Sequence, residues 1–186
     1  GRTVRRHHTG VSLETGDVLV VDNSLAVVDL TSGKVTAKTA VGIAPYGVAL
    51  SPDGKTAYLT DSGAEGALIV VDIDSGAAKR VLSGHPSTMP DRTVTVTYDG
   101  QPLRRPDGRG VTFSADGIAL SPDGKTLYWQ AIKGKTLYSL PTDALTGWAT
   151  AAVVPEMLTN RTLGSKVVAV GENGPADGLL IARKDG

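Results

Sequence analysis

Apolar positions in this chain fall into short runs, each closed by a turn signal, and the runs return in a fixed order. The pattern is plainest in Gly47-Val-Ala-Leu-Ser-Pro-Asp-Gly54 and Gly117-Ile-Ala-Leu-Ser-Pro-Asp-Gly124. A third version reads Gly178-Leu-Leu-Ile-Ala-Arg-Lys-Asp-Gly186, and a degenerate one, Gly10-Val-Ser-Leu-Glu-Thr-Gly16, lies near the start. After the turn, residues 17–21, 56–60 and 126–129 form second runs rich in β-branched and aromatic side chains. Such runs bounded by Gly, Pro, Asp and Ser read as strands. Ser-Pro-Asp-Gly closes a turn, with Pro fixing φ at its second position and Gly free to end it. A strand–turn–strand unit written repeatedly predicts a repeat architecture.

The copies start at Gly10, Gly47, Gly117 and Gly178, spaced 37, 70 and 61 residues apart. A four-stranded propeller blade takes roughly 40–50 residues. The first spacing fits one compact blade and the others a blade plus an insertion. The expected order is a blade over 10–42, a blade over 47–84, an insertion over 85–115, a blade over 117–170 carrying its own insertion at 143–165, and the first strand of a further blade at 178–186. In the second blade the strands are expected at 47–50, 56–60, 67–71 and 77–82. Asp22-Asn-Ser24 leaves room for only a tight hairpin in the first blade, or marks a gap in it. The insertion at 85–115 reads as an excursion hairpin around Asp99-Gly100. Asp143-Ala-Leu-Thr reads as a helical turn with an Asp cap, residues 156–163 as a short helix, and 167–170 as an outer strand. The closing Asp-Gly is the dipeptide that turns strand one into strand two in two earlier copies. On that reading the chain is part of a longer ring, whose remaining blades come from the rest of the polypeptide or from a second chain.

Composition narrows the function classes. Lys and Arg number 19, Asp and Glu 19, so no basic excess points to nucleic acid or a membrane surface. There is no Cys, which excludes disulfides, thiolate metal sites and Cys nucleophiles. No apolar stretch is long enough to span a bilayer. No phosphate-binding loop, nucleophile elbow or dinucleotide fingerprint is present.

The ordered series Thr60-Asp-Ser-Gly63, Gly66-Ala-Leu-Ile-Val-Val-Asp72 and Arg80-Val-Leu-Ser-Gly-His-Pro-Ser87 resembles the Yellow / major royal jelly protein family. The segments Ala115-Asp-Gly-Ile-Ala-Leu-Ser-Pro-Asp-Gly-Lys-Thr-Leu-Tyr-Trp-Gln130, Tyr138-Ser-Leu-Pro-Thr142 and Gly174-Pro-Ala-Asp-Gly-Leu-Leu180 continue the likeness, closest to its bacterial L-dopachrome tautomerase-related members. The resemblance implies an all-β fold: a six-bladed β-propeller of four-stranded antiparallel blades, of which about three blades and one inner strand are present here. It also implies a secreted or periplasmic protein that binds a small organic ligand, either as an isomerase of dopachrome-tautomerase kind or as a carrier or structural protein. A more distant likeness to the senescence-marker / gluconolactonase propellers implies a third alternative, a Ca²⁺-dependent lactone hydrolase. Two ligands of that family's axial cation map onto Asp116 and Asp177. The family has Asn at one of these positions, and no Glu here matches its remaining ligand.

The repeat itself separates two kinds of Asp. Asp53, Asp123 and Asp185 follow the strand and belong to turns. Asp116 and Asp177 precede the opening Gly, a place held by Tyr46 in the second blade, and so stand at one mouth of a channel lined by first strands. Loop residues Asp61, Ser62, Lys133 and His85 are candidates to overhang that mouth, with His85 alternatively a packed turn residue before Pro86. Two carboxylates facing one channel repel, so either a cation such as Ca²⁺ sits between them or one takes up a proton and becomes an acid–base catalyst. The same Asp-Gly pairs could instead cap tight bends through bonds to backbone.

Overall fold

A computed structural model describes residues 10–13, 16–21, 23–29, 31–146 and 159–162; for 10–21, 146 and 159–162 it is the backbone that is described. The first sheet is formed by β1 (Gly10–Leu13), β2 (Gly16–Val21), β3 (Ser24–Asp29) and β4 (Lys34–Ala40). The second is formed by β5 (Pro45–Leu50), β6 (Thr56–Asp61), β7 (Ala67–Asp72) and β8 (Ala78–Val81). A two-stranded ribbon of β9 (Thr97–Tyr98) and β10 (Gln101–Pro102) follows. The third sheet contains β11 (Ala115–Leu120), β12 (Thr126–Ala131), β13 (Thr136–Pro141) and, after the helical turn α1 (Asp143–Thr146), β14 (Thr159–Thr162). Each four-stranded sheet is an antiparallel meander in sequence order, and the first strands neighbour one another, β1 beside β5 and β5 beside β11. Three consecutive four-stranded meanders with their first strands side by side are three blades of a β-propeller.

Local chemistry explains the turns. Ser51 and Ser121 close identical loops: each hydroxyl donates to the carboxylate two residues on, Asp53 or Asp123, at 2.6 Å, and accepts the N–H of Thr56 or Thr126 at 2.9 Å. These bonds hold both exposed carboxyls below the usual carboxylate range. Asp53 and Asp123 are turn residues, as the repeat predicts. In the first blade Val21 pairs directly with Ser24, and Asn23 takes φ of 64°, so the hairpin is tight and complete. The excursion does form a hairpin, with Asp99 and Gly100 both at positive φ.

One element differs from the pattern. Residues 159–162 lie inside the segment read as a short helix, yet they pair antiparallel with β13 as the third sheet's fourth strand. The open edge of β13 outweighs the weak helical signal of this segment, and the β-branched Thr159 and Thr162 suit a strand. Residues 167–170 and the inner strand expected at 178–186 lie outside the described residues.

The core sits between blades. Period-two alternation sends Ala57, Leu59, Ile69 and Val71 toward the first blade, where Leu25 and Val41 meet them. The alternate residues Tyr58, Leu68 and Val70 face the third blade and pack on Ile118, Leu127, Trp129 and Leu140. Tyr128, which matches Tyr58 in the repeat, lies on the opposite face of its blade from Trp129 and is half-buried. The segment 85–91 wedges into the second junction at the mouth end. Thr88 Oγ1 donates to the Gly66 carbonyl, the Thr88 carbonyl receives Ala115 N–H, and the Ser87 carbonyl receives Trp129 Nε1–H. The rest of the excursion, from Thr97 to Gly110, is exposed.

Candidate functional site at the channel mouth

The inner strands of the second and third blades carry a bulge at the same place. Pro45 faces Asp61 and Val48 faces Leu59, so Tyr46 and Gly47 together oppose Thr60. In the third blade Ala115 faces Ala131 and Gly117 faces Gln130, which leaves Asp116 as the extra residue. A bulge re-aims the side chain it carries. Tyr46 and Asp116 therefore occupy equivalent positions at the mouth end of neighbouring inner strands. Their environments differ: Tyr46 is 43% exposed and Asp116 8%.

Burial dominates the chemistry of Asp116. Loss of water raises its carboxyl to a pKa of about 6, and the hydroxyl of Ser62, donating to Oδ2 at 3.2 Å, offsets this only in part. Ser62 belongs to the loop between β6 and β7, at the same end of the sheet. Thr60, fully buried, donates its hydroxyl to the Asp116 carbonyl at 2.7 Å and accepts Gly47 N–H at 2.9 Å. Ile43 and Ile132, on loops at the same end, are exposed.

Strand alternation separates the other candidates. Thr60 and Ser62 turn toward the third blade, whereas Asp61 between them turns toward the first. There its carboxylate pairs with Arg80 through Oδ2 and accepts Gly63 N–H through Oδ1 at 2.8 Å. The Arg80 guanidinium also donates to the Glu65 carbonyl and to Ser83 Oγ. Asp61 is thus 1% exposed and committed to an internal ion pair, away from Asp116. His85 is a turn residue: its Nδ1 accepts Ser87 N–H at 3.1 Å and its carbonyl accepts Thr88 N–H and Met89 N–H. Lys133 lies on the loop between β12 and β13, where its carbonyl accepts Asp91 N–H at 2.7 Å. Asp177 lies outside the described residues. The structure brings Tyr46, Asp116 and Ser62 to one rim. Thr60, not among the sequence candidates, was readable as the residue one step before Asp61, on the opposite face.

Among the described residues no group of three or more His, Cys, Asp or Glu side chains is placed to hold a metal ion. Ca²⁺ takes six to eight oxygen ligands. Among the described residues the mouth supplies one desolvated carboxyl beside one serine, fewer oxygen ligands than Ca²⁺ takes.

The raised pKa has a consequence for stability. Below about pH 4 Asp116 is protonated in both folded and unfolded chains. As pH rises toward and past about 6, the unfolded carboxyl ionises first and the folded one resists, so stability is lost over that window. Asp116→Asn cannot ionise. Urea titrations are expected to show the variant gaining on the unaltered protein by about 2–3 kcal/mol between pH 4 and pH 8. A constant difference across that range would show that Asp116 is not desolvated.

The family model described as major royal jelly protein matches residues 19–173. No curated protein matches. Among solved structures, dihydro-heme d1 dehydrogenase NirN in complex with DHE is 13% identical with a TM-score of 0.51, covering 85% of this chain and 28% of that one. Kuenenia stuttgartiensis hydrazine synthase is 22% identical at a TM-score of 0.47, covering 69% and 30%. The β-propeller domain of Myceliophteria thermophila Cps50 (Swd1) is 11% identical at 0.43, covering 74% and 38%. The chain thus spans well under half of each of these chains, and at 13% identity the likeness to NirN is one of fold alone.

Proposed function

The chain belongs to the major royal jelly protein family, and from that premise we propose that it is part of a six-bladed propeller that binds a small organic molecule at the channel mouth and isomerises it by proton transfer through Asp116. The observation that carries this reading is Asp116 itself: a carboxyl set in an inner-strand bulge at the mouth, with a pKa of about 6. Small ligands favour concave mouths with few polar groups, and Tyr46, Ser62 and Asp116 stand at that end of neighbouring blades.

An acid–base group works best with a pKa near the operating pH. At pH 7 about one Asp116 in ten carries a proton, so the carboxylate is ready to accept one and the acid is strong enough to return it. A tautomerisation of dopachrome kind requires this and no more. One proton leaves a carbon of the substrate, one is delivered to another atom of the conjugated system, and no electrons are gained or lost overall. Ser62, by donating to the ionised form, steadies the carboxylate before the first transfer and again after the second.

The test is dopachrome turnover by the full-length protein and by Asp116→Asn. The variant is expected to bind the substrate and turn it over about a hundredfold more slowly, the scale of a lost acid–base group. Binding without turnover by the unaltered protein would identify a carrier. Equal turnover by both proteins would remove Asp116 from the reaction.

A further inference from the structure

Asp116 is held from outside its own blade. Its carbonyl and its carboxylate are both bonded by residues at the end of β6, two positions apart on one face: Thr60 Oγ1 to the carbonyl at 2.7 Å and Ser62 Oγ to Oδ2 at 3.2 Å. Thr60 at the same time accepts Gly47 N–H at 2.9 Å. That N–H lies in the bulge, where the ladder between β5 and β6 is interrupted. One buried hydroxyl therefore ties the bulge of the second blade to the bulge of the third. The tie is close: a Cβ built on Gly47 would stand 2.6 Å from the Asp116 carbonyl oxygen and 2.8 Å from Ile118 Cγ2. Only glycine lets the two inner strands approach so far. The third blade does not repeat the device, because its equivalent of Thr60 is Gln130, whose amide turns to the Gly134 carbonyl in its own blade.

We propose that Thr60 is the positioning residue of the mouth site, its hydroxyl fixing where the bulge presents Asp116 to the channel. This rests on the reading of Asp116 as the working group. The geometry distinguishes the role from ordinary packing. Thr60 is fully buried, yet both hydrogen-bonding capacities of its hydroxyl are spent on the two bulges. Without the hydroxyl the Asp116 carbonyl and Gly47 N–H lose a shared partner, and the bulge is free to open toward solvent. The neighbouring ionised groups do not substitute for it: Asp61 at the end of β6 is neutralised by Arg80 from β8, on the other face of the blade.

The experiment compares Thr60→Val, which keeps the shape and removes the hydroxyl, with Thr60→Ser, which keeps the hydroxyl, both in the full-length protein. The readouts are the ¹³C titration midpoint of the Asp116 carboxyl and kcat and KM for dopachrome. In Thr60→Val the midpoint is expected to fall by at least about half a pH unit toward the ordinary carboxylate value as water reaches the group. The same variant is expected to lose kcat by about tenfold with little change in KM, and Thr60→Ser to restore both. A residue that only packed would lower the melting temperature and leave the midpoint unmoved; that result overturns the proposal. A shifted midpoint in a protein that turns over no dopachrome supports the positioning role while removing the isomerase reading. Should Thr60→Val not fold, amide exchange in the unaltered protein decides. Gly47 N–H is expected to be as protected as the ladder amides of β6, and exchange at an unstructured rate overturns the proposal.

Discussion

Trp129→Ala is expected to lower stability by about 3–5 kcal/mol, enough to unfold much of the protein at physiological temperature. Trp129 is fully buried, stacks on Tyr138 with ring centroids 5.9 Å apart, and sits in the cluster that joins the second blade to the third. Its removal leaves a large cavity between two sheets whose backbones are fixed by their own ladders and cannot close over it. The indole adds a second loss. Nε1–H is the partner of the buried Ser87 carbonyl, which ties the segment 85–91 to the third blade. Trp129→Phe separates the contributions, retaining most of the volume but not the bond. It is expected to cost about 1–3 kcal/mol, the scale of a buried carbonyl left without its donor. Urea denaturation of both variants checks this; a loss under about 1 kcal/mol for Trp129→Ala would show that the blades do not pack as described.

The second large effect is expected from the smallest possible addition. Gly66→Ala places a Cβ 2.1 Å from the Thr88 carbonyl oxygen and 2.6 Å from Ser114 Cβ. The obstacle is backbone, so no side-chain rotation relieves it. Thr88 cannot withdraw freely, because its carbonyl receives Ala115 N–H and its hydroxyl is enclosed by the Gly66, Leu82 and His85 carbonyls, each within hydrogen-bonding distance of its one proton. The methyl group must therefore push the wedge segment away from β7, at a cost of about 3 kcal/mol, the upper end for overpacking. Gly84→Ala makes a useful contrast. A Cβ there meets nothing within 4 Å, and the strain is confined to a φ of 65°, so the loss should be about 1 kcal/mol. Equal losses at both sites would contradict the close approach at Gly66.

The sequence made the blades legible because each strand ends in a turn whose chemistry is local. Ser51, Asp53 and Gly54 act within six residues of one another, and their repetition at Ser121, Asp123 and Gly124 shows that they do the same work. The position of Asp116 was legible for the same reason, as a repeat coordinate. Its buried state was not, because that depends on Thr60 and Ser62 reaching across from another blade. Asp61 illustrates the limit most clearly. Its place beside the mouth was readable from the loop, but one step of strand alternation points it to the far face, where Arg80 holds it. His85 was readable as either a ligand contact or a packed turn; its bonds to Ser87, Thr88 and Met89 place it in the wedge. The strand Thr159–Thr162 was missed because two β-branched residues in four are too short a local signal to decide. It is a strand because β13 offers an edge.

The pH dependence of dopachrome turnover tests most directly whether Asp116 is the titrating group of the channel mouth. The full-length protein should show an inflection in kcat/KM near pH 6, and the residual activity of Asp116→Asn should show none there. Superimposable profiles for the two proteins would contradict it.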